Sequence, residues 1–433
     1  MRIVELTQQT VDHVLEDLIK RSPNNYSDYQ ESVDKIVADV RENKNQALFA
    51  YEEKFDHVLL DETSIEVTED EIQDAYKEVS PDLLAVIRKA LVNIRAYHDK
   101  QVEQSWFTSK EDGIILGQKV TPLETVGVYV PGGKAVYPSS VLMNIAPAKS
   151  AGVENIIMCT PPGKDGKVTA STLVAAKEAG VTRVFKAGGA QAIAAMAFGT
   201  ESIPKADKIV GPGNIYVALA KKAVFGFVGI DSIAGPSEIL VLADESANPR
   251  FVAADLLSQA EHDELASAIL ITTSRPLAEK VSREVDAFVK GLSRKEIIEK
   301  SLDRFGYILL AESMEQAIET TNAIAPEHLE ILTENPFQTM TKVKNAGAIF
   351  LGEYSSEPLG DYFAGPNHVL PTNGTAKFFS ALGVDAFVKK SSIISYSKDA
   401  LEKVHTDIEL FAQCEQLTAH ANSIKVRFED AKN

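Results

Sequence analysis

The sequence predicts an α/β protein with two parallel-sheet domains, helical at its amino end and along its carboxyl tail. Three observations predict it. Short apolar runs alternate with helical-period segments in two successive series. Gly/Pro-built turns punctuate those series. The chain has 433 residues, 45% of them hydrophobic and 24% charged, which suits two or three sizeable cores.

The elements follow in order. Residues 1–104 read as helical, with apolar residues at helical period in 29–53 and 70–104 and an interruption at Ser80-Pro81. Apolar runs then appear at 113–116 (GIIL), 126–130 (VGVYV), 155–159 (NIIMC), 183–187 (RVFKA) and 208–211 (KIVG). Helical patterns fill 138–151, 170–179, 190–198 and 214–224, and PPGKDGK at 161–167 is a loop of turn formers. Strands alternating with helices imply a parallel sheet covered on both faces. A second series follows Ala234, with strands at 238–244, 268–273, 307–311 and 346–351 and helices at 249–264, 276–290, 294–301 and 312–324. Residues 398–430 close the chain as a helical tail. The expected division is an N-terminal helical extension (1–24), a discontinuous domain (25–130 plus 237–380), a second domain (131–236) and a C-terminal helical tail (381–433).

Charge and cysteine content narrow the function classes. There are 62 acids against 44 bases, a formal net charge of -18, which argues against nucleic acid or an anionic membrane as partner. Cys159 and Cys414 are too few for a disulfide framework or a thiolate zinc site. The acidic, amphipathic start MRIVELTQQTVDHVLEDL has none of the parts of a signal peptide, and no apolar stretch approaches the roughly 20 residues of a span. A soluble, cytoplasmic protein is expected.

No G-x-G-x-x-G follows a strand. Three other Gly-rich segments, 130–140 (VPGGKAVYPSS), 186–199 (KAGGAQAIAAMAFG) and 210–222 (VGPGNIYVALAKK), each join an apolar run to a helical pattern. Such turns place backbone N–H groups and a positive helix end at the edge of a sheet, where anions bind. Equally, each is a strand–helix turn that uses glycine for its geometry.

The histidines divide into two sets. His13, His57, His98 and His405 lie in polar surroundings and read as solvated. His262, His328, His368 and His420 lie among other polar groups. Gln259 and His262 are three apart in a helix opened by Asn248-Pro249, hence on one face. Imidazole is a good metal ligand and an amide oxygen a poor one, so the pair is either a ligand set or an interior hydrogen-bonded histidine. Glu327-His328 offers two proton-transfer groups of different resting acidity, or else an acid at a helix end beside a surface histidine. Asp361, in the irregular segment 360–368 with His368, is either a carboxylate ligand or a turn aspartate. Glu415 and His420 are five apart, roughly 140° around a continuous helix at about 100° per residue, and share no face unless the helix ends between them.

Taken together these segments resemble the L-histidinol dehydrogenases. The likeness covers nearly the whole chain and rests on TPLETVGVYVPGG, FKAGGAQAIAAMAFGT, KIVGPGNIYVALAKK, GIDSIAGPSEILVLAD, LLSQAEHD, APEHLEI, LGDYFAGPNHVLPT and EQLTAHANSI, in that order. The resemblance implies two incomplete Rossmann-like domains, a homodimer, one zinc per subunit, and NAD as oxidant. It implies conversion of L-histidinol through L-histidinaldehyde to L-histidine with two NAD. Carried onto this sequence, it gives Gln259, His262, Asp361 and a partner-donated His420 as zinc ligands. It gives Ser237, Gln259, His262, His328, Asp361, Glu415 and His420 as substrate contacts, Tyr129, Gln191 and Asn214 as NAD contacts, and Glu327 and His328 as the proton-transfer pair.

The chemistry then expected is this. Zinc has no redox chemistry of its own, so electrons leave as hydride to NAD while zinc holds the substrate. His328 takes the hydroxyl proton, and Glu327 activates the water that attacks the aldehyde. A thioester route through Cys159 or Cys414 is disfavoured, since Cys159 ends an apolar strand and Cys414 has no activating base nearby. Two other readings use the same residues: a zinc hydrolase without NAD, and a two-lobed binding protein without turnover.

Overall fold

The computed structural model describes residues 1–21, 27–110, 113–132 and 137–429, so part of the Gly-rich segment 130–140 (133–136) lies outside the described residues. It divides into two compact units, Met1–Gln101 with Leu123–Phe387, and Val102–Pro122 with Val388–Asn433.

The larger unit opens with β1 (Arg2–Glu5), α1 (Gln8–Lys20), α2 (Ser27–Phe55), α3 (Glu69–Glu78) and α4 (Pro81–His98). Ser80 caps α4 and Pro81 takes its first turn, where the missing N–H costs nothing. After β2 (Trp106–Lys110) and β3 (Ile114–Pro122) of the smaller unit come β4 (Thr125–Tyr129), α5 (Pro138–Ser150), β5 (Asn155–Thr160), α6 (Ala170–Ala179), β6 (Arg183–Lys186), α7 (Gly189–Phe198), β7 (Lys208–Val210), α8 (Ile215–Val224) and β8 (Gly229–Ile230). These five strands form a parallel sheet in the order β6-β5-β4-β7-β8. Successive residues face opposite sides: Ile156 and Met158 join Ile87, Leu91 and Ile94 of α4, whereas Ile157 and Cys159 join Val33, Val37 and Leu48 of α2.

The second series comprises β9 (Glu238–Ala243), α9 (Pro249–Ala260), β10 (Ser267–Thr272), α10 (Arg275–Val289), α11 (Lys295–Phe305), β11 (Gly306–Leu310), α12 (Met314–Ile324), β12 (His328–Leu332), α13 (Pro336–Met340), β13 (Ala348–Leu351) and the short α14 (Glu357–Leu359), which runs into a π-helical turn at Gly360–Ala364. The sheet order is β1-β11-β10-β9-β12-β13, all parallel. Ile239 and Val241 face one core and Leu240 and Leu242 the other. Parallel strands buried on both faces account for the continuous apolar runs.

Three expectations are corrected. Residues 25–130 are not built onto 237–380 alone: α2 packs on α7 and α8, α3 on α6, α4 on α5 and also on the π-helical turn at Gly360–Ala364, and β4 is a central strand of the five-stranded sheet. The apolar stripes of α2 and α4 complete the cover of that sheet's two faces. Residues 1–24 are not wholly helical, because Arg2–Glu5 adds an edge strand beside β11. His98 is not solvated: it is fully buried at the end of α4, with its Nδ1 2.8 Å from the Ile94 carbonyl oxygen and its Nε2 3.3 Å from Asn367 Nδ2.

The smaller unit holds an antiparallel sheet, β14-β3-β2, with β14 at Val388–Tyr396, followed by α15 (Lys398–Glu402), α16 (His405–Cys414) and α17 (Thr418–Lys425). The tail expected to be helical from 381 therefore begins with a strand, whose polar sequence VKKSSIISY hides it. Among the described residues no helix is long and apolar enough to cross a membrane.

Candidate active site

The expected proton-transfer pair, Glu327 and His328, sits where β12 begins. The left-handed Ala325 (φ 53) ends α12, and Pro326 turns the chain into the strand. Parallel register sets His328 beside Ile239, so Glu327 and His328 face the start of β9. The Glu238 N–H donates to Glu327 Oε2 at 2.8 Å, and His328 Nδ1 lies 2.9 Å from the Glu238 carbonyl oxygen. A carbonyl only accepts, so Nδ1 carries the proton. His328 Nε2 is buried without a hydrogen-bond partner. Both residues are buried, and the cluster lies at the amino edge of this sheet, whereas the usual ligand edge of an open α/β sheet is the carboxyl one.

The segment after β13 returns to that edge. His328 Nε2 lies 3.7 Å from Asp361 Oδ1, and His368 Nδ1 lies 3.8 Å from the same oxygen. Glu357 accepts from Ser258 Oγ at 2.9 Å, and its N–H donates to Glu330 Oε1 at 2.8 Å. Among the described residues, ligating atoms of His328, Glu357 and Asp361 all lie within 4.8 Å of one another. Glu357 is not among the residues the sequence singles out. Its signal is an acid four residues before Asp361, ahead of a Gly/Pro turn.

Helix α9 brings Gln259 toward this cluster: its neighbour Ser258 bonds Glu357, and both amide atoms of Gln259 are buried with no partner. The helix ends at Ala260, not 264. His262 lies in the following turn, its N–H donating to the Gln259 carbonyl at 3.1 Å. The residue is exposed, yet protein crowds its imidazole; that desolvation lowers its affinity for protons, while Asp361 pulls the other way. Ser237 precedes β9, and its carbonyl accepts from the Ser267 N–H at 3.0 Å.

The cluster's charges are strongly coupled. Burial pushes Glu327 up to about 8, with His328 opposing. Burial lifts Glu357 to about 8, and Asp361 adds to the rise. For His328 burial favours the neutral ring, but Glu327 and Asp361 outweigh it and raise the imidazole to about 10. Burial also opposes ionisation of Asp361, yet contact with His328 and the charge of His368 hold its carboxyl well below the usual range. Three carboxyls crowded around imidazoles form a site short of positive charge, which a cation would neutralise.

The expected NAD contacts gather on the other sheet. Its strand order reverses between β4 and β7, the topological switch point whose carboxyl-end crevice binds ligands in open α/β sheets. Tyr129 ends β4, and Asn214 follows β7 and caps α8 by accepting from the Tyr216 and Val217 N–H groups. Gly211 between them has φ 115, and a Cβ there would sit 2.0 Å from the Tyr129 carbonyl oxygen. The Gly211 N–H donates to Asp231 Oδ2 at 2.8 Å, and Lys221 Nζ donates to its carbonyl at 3.0 Å. Lys221 and Asp231 are themselves a buried ion pair. Glu52 Oε1 accepts from the Gly188 N–H at 3.1 Å and from Gln191 Nε2 at 3.0 Å, so the protein's own carboxyl fills the amino end of α7. Tyr129 Oη accepts from the Gly189 N–H at 3.1 Å.

Glu415 and His420 belong to the smaller unit, and both are exposed. Helix α16 ends at Cys414 and α17 starts at Thr418, with Gln416 at φ 60 between them, so the two residues are not bound to one continuous helical azimuth. Cys159 is fully buried, and burial pushes its thiol far up; Cys414 is exposed and free.

The sequence profile described as histidinol dehydrogenase matches residues 19–428. The chain is 57% identical over 428 residues to a protein named histidinol dehydrogenase from Clostridium acetobutylicum, covering 99% of each. It is 58% identical over 415 residues to one from Halalkalibacterium halodurans, covering 96% of this chain and 97% of that protein. A crystal structure of histidinol dehydrogenase from Elizabethkingia anophelis superposes with a TM-score of 0.93 at 40% identity, covering 99% of this chain and 98% of that one.

Proposed function

The chain belongs to the histidinol dehydrogenase family, and from that premise we propose that it oxidises L-histidinol through L-histidinaldehyde to L-histidine with two NAD, Glu327 and His328 moving the protons. The observation that carries this reading is the pair's attachment to Glu238 beside the cluster of Asp361 and Glu357.

A metal and NAD go with the family. For the metal, the fit rests on donor chemistry: a buried amide with both atoms unpartnered, an imidazole disposed to stay neutral, and a carboxylate held ionised. Gln259, His262 and Asp361 would hold it, completed by the partner subunit's His420, and the mixed nitrogen and oxygen set suits zinc. For NAD, the fit is the glycine-floored crevice at the switch point, with Tyr129, Gln191 and Asn214 as contacts. When bound, the metal anchors the substrate's nitrogen and oxygen donors as a Lewis acid and NAD takes the hydride.

The chain's own residues do the rest. With a cation held by Asp361 offsetting the carboxylates that raise His328, Nε2 of this imidazole is left unprotonated and, its ring turned by the Glu238 carbonyl, receives the proton of the substrate hydroxyl. Glu327, steadied through one carboxyl oxygen, draws a proton from water so that it adds to the aldehyde. His328 gives its proton to the aldehyde oxygen as the water adds, and so is free to receive one again as the hydrated aldehyde is oxidised. Ser237 and Glu415 orient the amino alcohol.

The active form is a homodimer with shared sites. The smaller unit leaves Trp106, Phe107, Ile394, Leu410 and Phe411 between 51% and 74% exposed, an apolar surface suited to a partner subunit. Absorbance of NADH tests the function: two equivalents per L-histidinol are expected, lost on chelation. Hydrolysis without NAD, or binding without turnover, overturns it.

A further inference from the structure

Glu238 holds both proton-transfer residues through its main chain. Its N–H fixes Glu327 and its carbonyl fixes His328, so any shift of this one peptide unit moves both. What holds Glu238 lies behind it. Arg21, at the end of α1, is 1% exposed and donates through Nη2 to Glu238 Oε1 at 2.5 Å. Its Nη1 donates to the Leu265 carbonyl at 2.7 Å, in the loop between α9 and β10. The Asn373 N–H donates to the same Glu238 oxygen at 3.1 Å. The guanidinium also lies 5.2 Å from the ring of Phe305, which closes its other side. Arg21 thus ties the start of β9 to the loop that follows Gln259 and His262, using the planar fork that distinguishes arginine from lysine.

We propose that Arg21, by pairing with the Glu238 carboxylate, is a positioning residue for both Glu327 and His328. The role rests on the proton-transfer assignment made above. It gives the amino-terminal segment a part in the reaction: β1 adds an edge strand to the sheet and α1 delivers a buried cation to the rear of the site. A displacement of about 1 Å at such a pair costs on the order of a hundredfold in rate. Binding of NAD, made by residues of the other sheet, stays as it is.

The test uses the full-length, metal-loaded enzyme. Arg21→Met/Glu238→Met removes both charges and leaves neither buried partner alone. Arg21→Lys keeps the charge but loses the fork. Rates on L-histidinol and on L-histidinaldehyde are measured beside Glu327→Gln and His328→Ala, with the folded fraction read by circular dichroism. The double variant should lose about 10- to 100-fold in kcat on both substrates, and Arg21→Lys a smaller part of that, with the KM for NAD nearly unchanged. Parent kcat in either folded variant overturns the proposal, as does a KM for NAD that rises in step with the fall in kcat. Should the double variant not fold, Arg21→Lys alone decides. Parent rates in Glu327→Gln and His328→Ala would overturn the assignment and the positioning role together; losses there with none at Arg21 overturn only the latter.

Discussion

His328 presents its Nε2 to Asp361 Oδ1 across 3.7 Å, while its Nδ1 is taken by a main-chain carbonyl. One nitrogen is thus committed to orientation and the other is left for chemistry. Replacing His328 by Ala should cost on the order of 10²–10⁴ in kcat for both half-reactions. Glu327→Gln keeps the bond from Glu238 but removes the base, so it should slow aldehyde oxidation at least as much as alcohol oxidation. Single-turnover NADH formation from each substrate checks this, and equal loss-free rates would remove Glu327 from the mechanism.

Gln259 buries two amide atoms with nothing to bond. An unpaired buried amide is costly unless something satisfies it. Gln259→Ala should therefore lower bound metal per subunit, measured by elemental analysis. A chelator should lower the melting point of the parent, because a ligand at 100 times its Kd stabilises by about 2.7 kcal/mol. Re-addition of zinc should restore both melting point and activity.

His420 is exposed and lies in a unit rich in uncovered apolar side chains. Inactive His420→Asn and His262→Asn chains, mixed under conditions that exchange subunits, should regain activity up to about a quarter of parent, since half the dimers are mixed and each then has one intact site. No recovery would show each site to be built within one chain.

Glu52 is buried beside Asp56 at the amino end of α7, and burial raises it well above an ordinary carboxyl, with Asp56 adding to the rise. A carboxyl raised in the folded state binds its proton more tightly there than in the unfolded chain. Its cost is absent below the unfolded value near 4.5 and grows as pH rises toward the folded one. Glu52→Gln retains an acceptor for Gly188 and a group for Asp56. It should raise the melting point at pH 7 by roughly 2 °C or more and leave it unchanged at pH 4. A pH-independent difference would show that titration is not the cause.

Much of this was readable in advance, for physical reasons. Strands buried on both faces spell continuous apolar runs, and Pro81 and Asn248-Pro249 mark helix starts by their capping chemistry. The strand β12 hides because Glu330, fully buried among carboxyls, breaks its apolar run. The same compensation conceals Glu357. Arg21 and Glu238 look like surface charges in one dimension, being 217 residues apart, and only tertiary pairing makes their burial tolerable. Which sheet α2 would cover was not legible either, since an amphipathic stripe specifies a face to be hidden and not its partner.

The turn at Gly211 leaves 2.0 Å where a methyl would go. With NAD in this crevice as proposed, attempts to retune the enzyme for a phosphorylated or synthetic nicotinamide carrier must leave this position untouched. Any library that randomises it discards every member but the starting one, so diversity belongs on the side chains flanking the crevice, at 129 and 214–216.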